Sequence, residues 1–270
     1  MTTALIDNFK TPDLTIAQLQ QRAPAAFAIT PYNNTSPTYR FISTERIIHT
    51  LMEAGLTAVE ARQSNSRGDR SNYARHMLRF RSTRLPIVTN DIMQQIVLIN
   101  SHDATSAYEM RAGIYRTICM NGLLVRAGDF GVIRVSHRGN VLDNIVQAAH
   151  ALITGFPAIT DMIELMRDAI LTEQQRITFA EKAYAIRFHH FDPKPLIGMQ
   201  QLLEPRREAD QGDDLWRVYN RVQENVMRGG LNYIKHNNRA AHTRGIRAIR
   251  EDVRINNALW GEAVTTLTHL

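Results

Sequence analysis

The sequence contains a single cysteine among its 270 residues, Cys119. One cysteine excludes an internal disulfide and a cluster of thiolate metal ligands, and its place in an apolar pattern predicts a packing role. No run approaches the roughly 18 apolar residues of a membrane span. Residues 1–10 also lack the basic patch and apolar core of a secretory leader. We therefore expect a cytoplasmic protein that does not enter a membrane.

Nucleotide-binding signatures are missing too. The sequence has neither a glycine-rich phosphate loop nor a dinucleotide fingerprint. The adjacent histidines His189 and His190 have no partner pair at metal-site spacing, and neighbouring side chains of a helix or strand point apart. We therefore expect neither a cofactor nor a metal.

Lysine is scarce, because arginine supplies 28 of the 32 basic residues. Between residues 62 and 138 the chain has twelve arginines and five acids, so this window carries +7 while the whole chain carries +6. The guanidinium group is planar, grips phosphate through two hydrogen bonds and stacks on bases. Such a concentrated positive field is typical of a nucleic-acid surface.

A basic window can also arise without a nucleic-acid ligand. Arginine usage can follow the base composition of the source genome, and a solvated basic face that binds nothing is common. The same field would also attract an acidic protein partner. The sequence leaves these alternatives open.

Three regions are expected along the chain. Residues 1–38 look like an N-terminal arm, since three prolines and an Asn-Asn pair favour extended or turn conformations around one short helix at 13–19. Residues 39–140 form a basic α+β core. Residues 141–270 form a mainly helical region, which could be continuous with the core. The predicted fold class is α+β, with a small antiparallel sheet.

The core is predicted to begin with a helix at 44–55 and to continue with three strands at 56–63, 73–81 and 94–100. The loop at 64–72 is polar and would be a hairpin tip. Alternation in the second strand puts four polar side chains on one face, which we expect to be open to solvent. These are Tyr73, Arg75, Arg79 and Arg81.

The later elements alternate between strand and helix. Ser106 and Glu109 have the spacing of a capping box, which predicts a helix at 106–120. A hairpin is predicted at 123–126 and 132–136.

The C-terminal region is predicted to be helical. Helices are expected within 141–188, with a break at 155–157 and Thr172 opening the last of them, and then at 215–227 and 245–263. On the 215–227 helix, three polar side chains share one side and predict a buried hydrogen-bond network. They are Asn220, Gln223 and Glu224.

The order helix, three strands, long helix resembles the core of single-strand annealing recombinases, such as the phage RecT, Redβ and Erf proteins. Topology and charge over residues 40–125 carry this resemblance. It implies strand annealing by a ring or filament of identical subunits, because one protomer makes few phosphate contacts.

Sequence strings carry a second resemblance, which covers most of the chain. The strings are Asn-Ser-His-Asp at 100–103, Cys-Met-Asn-Gly-Leu at 119–123, Leu-Trp-x-x-Tyr-Asn-Arg-Val-Gln-Glu-Asn at 215–225, Arg-Gly-Gly-Leu at 228–231 and Asn-x-Leu-Trp at 257–260. They resemble the plasmid- and prophage-borne family typified by YafZ, YfjQ and YubP, which implies that the protein belongs to a mobile element. Ala104 departs from this pattern, since the family often has glycine there.

The strongest candidates for catalysis are His102 and Asp103, at the end of a predicted strand. An adjacent histidine and aspartate can perform acid–base chemistry or bind a metal. No second carboxylate cluster or nuclease-like pattern accompanies them. The favoured interpretation is that they hold the turn before Ser106. We predict a protein that is not an enzyme, with a metal-dependent nuclease as the weaker alternative.

We predict that the chain binds single-stranded DNA or RNA and acts in strand annealing or strand protection. Arginines would neutralise phosphates, and Tyr73 would stack on bases, which is worth about 1–3 kcal/mol per base. The main alternative is a protein that binds a host defence or replication protein through the same basic face. The predicted binding residues are Arg62, Arg67, Arg70, Tyr73, Arg75, Arg79, Arg81, Arg84, Arg111 and Arg116, with Arg247, Arg250 and Arg254 as secondary candidates.

Overall fold

The chain divides into two compact units, Met1–Phe156 and Pro157–Leu270. The first contains an antiparallel sheet and the second is mainly helical, so the predicted α+β class is confirmed. None of the helices described has the length and apolar character to cross a membrane. The computed structural model describes residues 12–32, 41–66, 68–82, 92–103, 106–116, 122–124, 131–137, 139–192, 194–235 and 238–270.

Part of the predicted N-terminal arm is bonded into the first unit. The Leu14 amide donates to the Ala58 carbonyl of the first strand at 2.8 Å, and Leu19 is fully buried. This segment contains helix α1, Ile16–Arg22, and a 3₁₀ helix, Pro24–Phe27. Residues 12–32 therefore belong to the fold, and the rest of the predicted arm lies outside the described residues.

The second helix is confirmed where the sequence predicts it. Helix α2 spans Thr44–Glu53, and the Ser43 hydroxyl accepts a hydrogen bond from the Arg46 amide at 3.3 Å. Its apolar positions Ile47 and Leu51 are fully buried, as expected for residues four apart on one side of a helix.

Six strands form one antiparallel sheet in the described part of the first unit. The order is β1-β2-β3-β4, and two short strands, β5 and β6, both pair with β4. The three predicted strands are confirmed, with shifts at some ends. The prediction that Tyr73 and Arg75 lie in the second strand is wrong, because Tyr73 ends a 3₁₀ helix, Gly68–Tyr73, and β2 begins at His76. The bounds are β1 Leu56–Gln63, β2 His76–Ser82, β3 Ile92–Asn100, β4 Tyr108–Arg116, β5 Gly122–Leu124 and β6 Val132–Val135.

The predicted helix at 106–120 is wrong, because strand β4 lies there. The capping-box spacing was misleading. Tyr108 and Tyr115 favour strands, and Gly113 disfavours a helix interior. An added Cβ on Gly113 would lie 3.1 Å from Cγ2 of Val97 on β3, so the small residue suits the sheet. The predicted hairpin is also wrong in its pairing, since β5 and β6 each pair with β4 and not with each other in the residues described.

Both faces of the sheet are buried at its centre. One face bears Leu78 and Phe80 of β2, both fully buried, and the start of α2 contacts this face. The opposite face bears Arg79, which is only 4% exposed. The expectation of an open basic strand face is therefore wrong at this position. The reason lies in β3, where the unbroken apolar run 96–99 is typical of a strand buried on both sides.

The second unit consists of helices and one small hairpin. Its described elements begin in the second half of α3, which crosses the unit boundary, and end near the C-terminus. They are α3 Val141–Asp168, α4 Glu173–Arg187, α5 Gln200–Leu203, α6 Leu215–Arg228, β7 Asn232–Ile234, β8 Ala240–His242 and α7 Ile249–Thr268.

The break predicted at 155–157 is wrong, because α3 continues through Pro157. A proline inside a helix costs about 3 kcal/mol through a lost hydrogen bond and a clash. The neighbouring side chains Phe156 and Ile159 are fully buried, and their packing favours the helical path. The other helix predictions are confirmed: Thr172 caps α4 through a capping box, and α6 and α7 lie where helices are expected.

Candidate nucleic-acid interface

The central arginine of the predicted binding face is enclosed by protein groups. Arg79 forms an ion pair with Glu60 on β1 at 3.0 Å, because the strand register brings these two residues together. Its guanidinium also lies 3.9 Å from the centre of the Tyr115 ring. A planar cation between a carboxylate and an aromatic face is a stable arrangement. Arg79 therefore stabilises the sheet and is not open to a phosphate in this conformation.

A second arginine on this face is paired in the same way. Arg111 on β4 donates to Glu109 Oε2 through two nitrogens, at 3.0 and 2.7 Å, and is 4% exposed. Burial raises the pKa of Glu109, but the hydrogen bond and charge of Arg111 and the charge of Arg134 together hold it below the usual value. The Arg134 side chain is exposed and lies 3.4 Å from the same carboxylate. The two arginines and the Glu109 carboxylate therefore largely neutralise one another.

The remaining sheet candidates have mixed environments. Arg81 pairs with Asp13. Arg62 is partly exposed and its Nε lies 4.0 Å from Glu60. Arg116 is only 3% exposed, and Arg75 is half-buried. Arg67 and Arg84 lie outside the described residues.

Two predicted residues, Arg70 and Tyr73, do come together at the surface. The Tyr73 ring lies 5.3 Å from the Tyr32 ring, tilted by 60°, and Arg70 Cζ lies 5.6 Å from the Tyr32 ring centre. Both rings are half-buried, and Arg70 is exposed. We call these three residues the aromatic corner. Tyr32 was missed, because its neighbours Pro31 and Pro37 favoured an arm that does not contact the core.

Backbone hydrogen bonds hold the aromatic corner in place. The Tyr32 amide donates to the His102 carbonyl at 2.9 Å, and the His102 amide donates to the Tyr73 carbonyl at 3.1 Å. The Ser64 amide donates to the Arg75 carbonyl at 2.7 Å across the base of the connection that carries Arg70. A hydrogen bond with Tyr32 and its charge raise the pKa of Arg70 above the usual value. The two rings are therefore held at fixed positions by three separate segments.

His102 is buried and its ring bonds to Thr44 at the start of α2, whereas the prediction placed its role at the turn before Ser106. The Thr44 hydroxyl lies 2.8 Å from His76 Nε2 and 3.0 Å from His102 Nε2, and accepts from Asn100 Nδ2 at 3.0 Å. His76 Nδ1 lies 3.0 Å from the Ala74 carbonyl, so it carries the proton and its Nε2 accepts from Thr44. His102 Nε2 accepts from the Thr44 amide at 3.4 Å. This bonding pattern requires both rings to be neutral.

Burial lowers the pKa values of these two histidine rings. Desolvation lowers the pKa of His76 to about 4 and that of His102 to about 3. Both side chains are fully buried, so neither is open to a substrate. His76 and Thr44 were missed, because nothing local in the sequence indicates that they meet. Within the described ranges no group of three His, Cys, Asp or Glu residues could hold a metal ion.

The polar network predicted on α6 is confirmed. Gln223 donates to Asn256 on α7 at 2.9 Å, Glu224 accepts from Arg207, and Asn220 donates to the Trp216 carbonyl at 2.6 Å. The three predicted side chains are at most 5% exposed. The network joins α6 to its neighbours and serves packing.

The secondary candidates on and before α7 differ from one another. Arg254 is bonded to Glu251 at 2.6 and 2.9 Å and to the Ile186 carbonyl at 2.9 Å. Arg247 and Arg250 are exposed. The three residues therefore do not form one surface of equivalent cations.

Comparison with known proteins finds relatives over nearly the whole chain. The family model described as a domain of unknown function, DUF932, matches residues 31–260. The UPF0380 proteins YfjQ and YafZ of Escherichia coli strain K12 are each 34% identical over 258 residues, which is 95% of this chain and 93% of each relative. No solved structure matches. The chain therefore belongs to the DUF932 family, together with the UPF0380 proteins.

Proposed function

We propose that this protein binds single-stranded nucleic acid, DNA or RNA. The observation that carries the proposal is the aromatic corner, where two half-buried tyrosine rings, on backbone segments joined by hydrogen bonds, lie beside an exposed arginine. Bases of a single strand stack on such rings, and stacking is tolerant of sequence because every base has an aromatic face. Bases inside a duplex are stacked on each other and cannot reach the rings.

The corner is better suited to bases than to phosphates. Asp103 lies close enough to Arg70 to influence its pKa, and its negative charge opposes a phosphate there. Phosphate contacts would therefore come from cations outside the corner, with Arg75 the nearest predicted candidate along the chain. One such site binds a strand weakly, so the proposal includes a ring or filament of identical subunits that acts in strand annealing or strand protection. We expect a protein with this activity to be encoded by a mobile element.

The proposal is tested by binding of a labelled oligothymidine, measured by fluorescence anisotropy. Replacing both Tyr32 and Tyr73 with leucine keeps an apolar side chain but removes the aromatic faces. We expect affinity to fall at least roughly tenfold, since stacking is worth about 1–3 kcal/mol per base. Arg46→Ala removes an exposed arginine elsewhere in the same unit and should leave affinity unchanged.

Two outcomes would refute the proposal. One is a native protein that does not bind single strands at low salt. The other is a folded double variant that binds as tightly as the native protein. If an acidic host protein bound through the corner and oligonucleotides did not, the alternative of a protein partner would replace it.

A further inference from the structure

The C-terminal unit contains an open groove of about 930 Å³. Its walls come from the end of α4, the segment after it, and the β7–β8 hairpin with the residues that follow. Pockets that bind small organic ligands have volumes of roughly 300–1,000 Å³. The groove is therefore large enough for nucleobase-sized groups.

Cations surround this groove. Lys194, Lys235 and Arg244 are all exposed, and no ion pair involves them in the part of the chain described. No aspartate or glutamate is among the described residues that line it. An anionic ligand would thus meet three cations that no carboxylate already neutralises. We call this site the basic groove.

Apolar and aromatic side chains lie among these cations. Tyr233 lines the groove and is half-buried, while Phe191, Leu196 and Ile234 are 50%, 85% and 55% exposed. Large apolar side chains that gather at one exposed place mark a binding surface more often than a bare solvent face. A ligand that suits the groove has negative groups together with flat, weakly polar rings. Single-stranded nucleic acid has this combination.

The walls of the groove are held by specific hydrogen bonds. Arg187 at the end of α4 donates to the Arg244 carbonyl at 2.9 Å. Gln201 on α5 makes two bonds with the backbone of Asn232, at 2.7 and 3.1 Å. The Gly230 amide donates to the Thr243 carbonyl at 2.9 Å. The groove is therefore present before any ligand binds, which lowers the entropy lost on binding.

The sequence contains a signal for this region. From Arg228 to Arg250 there are six basic residues and no acidic one. The wider window at 62–138 has a larger total charge but contains five acids. A short acid-free stretch that includes a hairpin is a sharper indication of free positive charge than a larger net total.

We infer that the basic groove is a second binding site for single-stranded nucleic acid, with phosphates at Lys194, Lys235 and Arg244 and a base against Tyr233. This inference takes its class of ligand from the proposed function, but it does not depend on the aromatic corner. Counterion release gives the phosphate contacts a measurable signature. Log K falls with log salt by about 0.7 for each phosphate neutralised on a single strand.

The first experiment replaces Lys194, Lys235 and Arg244 with glutamine and measures oligothymidine binding over a range of salt. We expect the salt dependence to become shallower by about 2, from three lost contacts. The matched control replaces Arg22, Arg46 and Lys182, which are cations outside the groove, and should keep the native slope. Circular dichroism verifies that both variants are folded. If the groove variant kept the salt dependence of binding that the native protein shows, the inference would be wrong.

The second experiment locates the strand directly. An oligothymidine containing 4-thiothymidine is irradiated with the full-length native protein, and crosslinked peptides are identified by mass spectrometry. Crosslinks at Tyr233 or Phe191 are expected. Crosslinks confined to Tyr32 and Tyr73 would overturn the groove and leave the proposed function in place. Crosslinks confined to the groove would remove the aromatic corner from the site, and an absence of both crosslinks and binding would overturn both proposals.

Discussion

The two basic regions of this chain differ in what surrounds their cations. In the first unit, Arg79 and Arg111 are 4% exposed and paired with Glu60 and Glu109. In the second unit, Lys194, Lys235 and Arg244 of the groove are exposed, with no ion pair among the described residues. The region with the larger formal charge thus has much of it balanced internally. The region with the smaller total presents its charge to solvent.

This difference shows why net charge is a weak guide to a binding surface. An arginine on a strand can serve the sheet, where its guanidinium bridges a neighbouring carboxylate and a ring, or it can serve a ligand. The two roles need opposite environments. An arginine that stabilises the sheet is buried beside a carboxylate, whereas an arginine that binds a ligand is exposed and has no carboxylate partner. Removing a paired sheet arginine such as Arg79 should therefore damage stability, and removing an exposed groove cation should damage binding.

The largest expected effect comes from Arg79→Ala. This change removes the nearer cation of Glu60, leaving Arg62 at 4.0 Å, and opens a space beside the Tyr115 ring. Breaking a buried ion pair by removing one partner costs about 3–5 kcal/mol, and we expect the lower end because Glu60 is partly exposed. Urea unfolding followed by circular dichroism measures the loss. Lys235→Ala is the matched variant in the groove and should change stability by less than about 0.5 kcal/mol.

Arg79→Met sharpens this test, because it restores volume but not charge. If both Arg79 variants were as stable as the native protein, the guanidinium would not hold the sheet. The contrast between the two basic regions would then disappear.

Acid should destabilise the first unit through His76 and His102. Their folded pKa values, about 4 and about 3, lie below the ordinary histidine value. The unfolded chain therefore binds protons that the folded chain does not, so stability falls as pH decreases from about 6.5 toward 4. The loss by pH 4 is on the order of 3 kcal/mol for each ring, since one pKa unit corresponds to about 1.4 kcal/mol.

The check is thermal unfolding at several pH values, with His76→Gln and His102→Gln as comparison variants. Each variant should lower stability at neutral pH and flatten the pH dependence. A native protein whose midpoint stays constant between pH 6.5 and 4 would contradict the neutral, buried state of these rings.

Gly229→Ala should disturb the base of the hairpin that carries the groove. Gly229 has a φ of 70°, and an added Cβ would lie 2.7 Å from the Thr243 carbonyl oxygen. Strain of this kind costs about 1–3 kcal/mol. We expect lower stability and weaker oligonucleotide binding together. Gly198→Ala is the control, since an added Cβ there meets no atom within 4 Å.

Features of the fold that depend on residues close in sequence could be predicted, whereas those that depend on contacts between distant residues could not. Local signals worked: Thr172 caps the helix it was expected to open, and the polar side of α6 is a buried network. Pairing across the sheet was not visible, because the partner of Arg79, Glu60, depends on strand register. The helix predicted for β4 failed for the same reason, since three neighbouring strands outweigh a capping-box pattern.

In the candidate site, too, local contacts could be predicted from the sequence and contacts between distant residues could not. Arg70 and Tyr73 were predicted from one local segment, and they do lie together at the surface. Tyr32 joins them through backbone bonds to His102, a contact between distant parts of the chain that no local pattern specifies. The basic groove was missed because the larger total charge at 62–138 outweighs that of the shorter stretch without acids.

The smallest effect on stability is expected from Arg70→Ala, and it separates the corner from the rest of the first unit. Arg70 is exposed, so its loss should change stability by less than about 0.5 kcal/mol, in contrast to Arg79. Affinity for oligothymidine should still fall, by about 1 kcal/mol, because a cation and part of a stacking surface are lost. The measurement is anisotropy alongside urea unfolding, with Arg46→Ala as the control. Arg70→Ala could instead lower stability as much as Arg79→Ala and leave affinity intact. The aromatic corner would then be a structural feature, and the basic groove would be the remaining candidate surface for single-stranded nucleic acid.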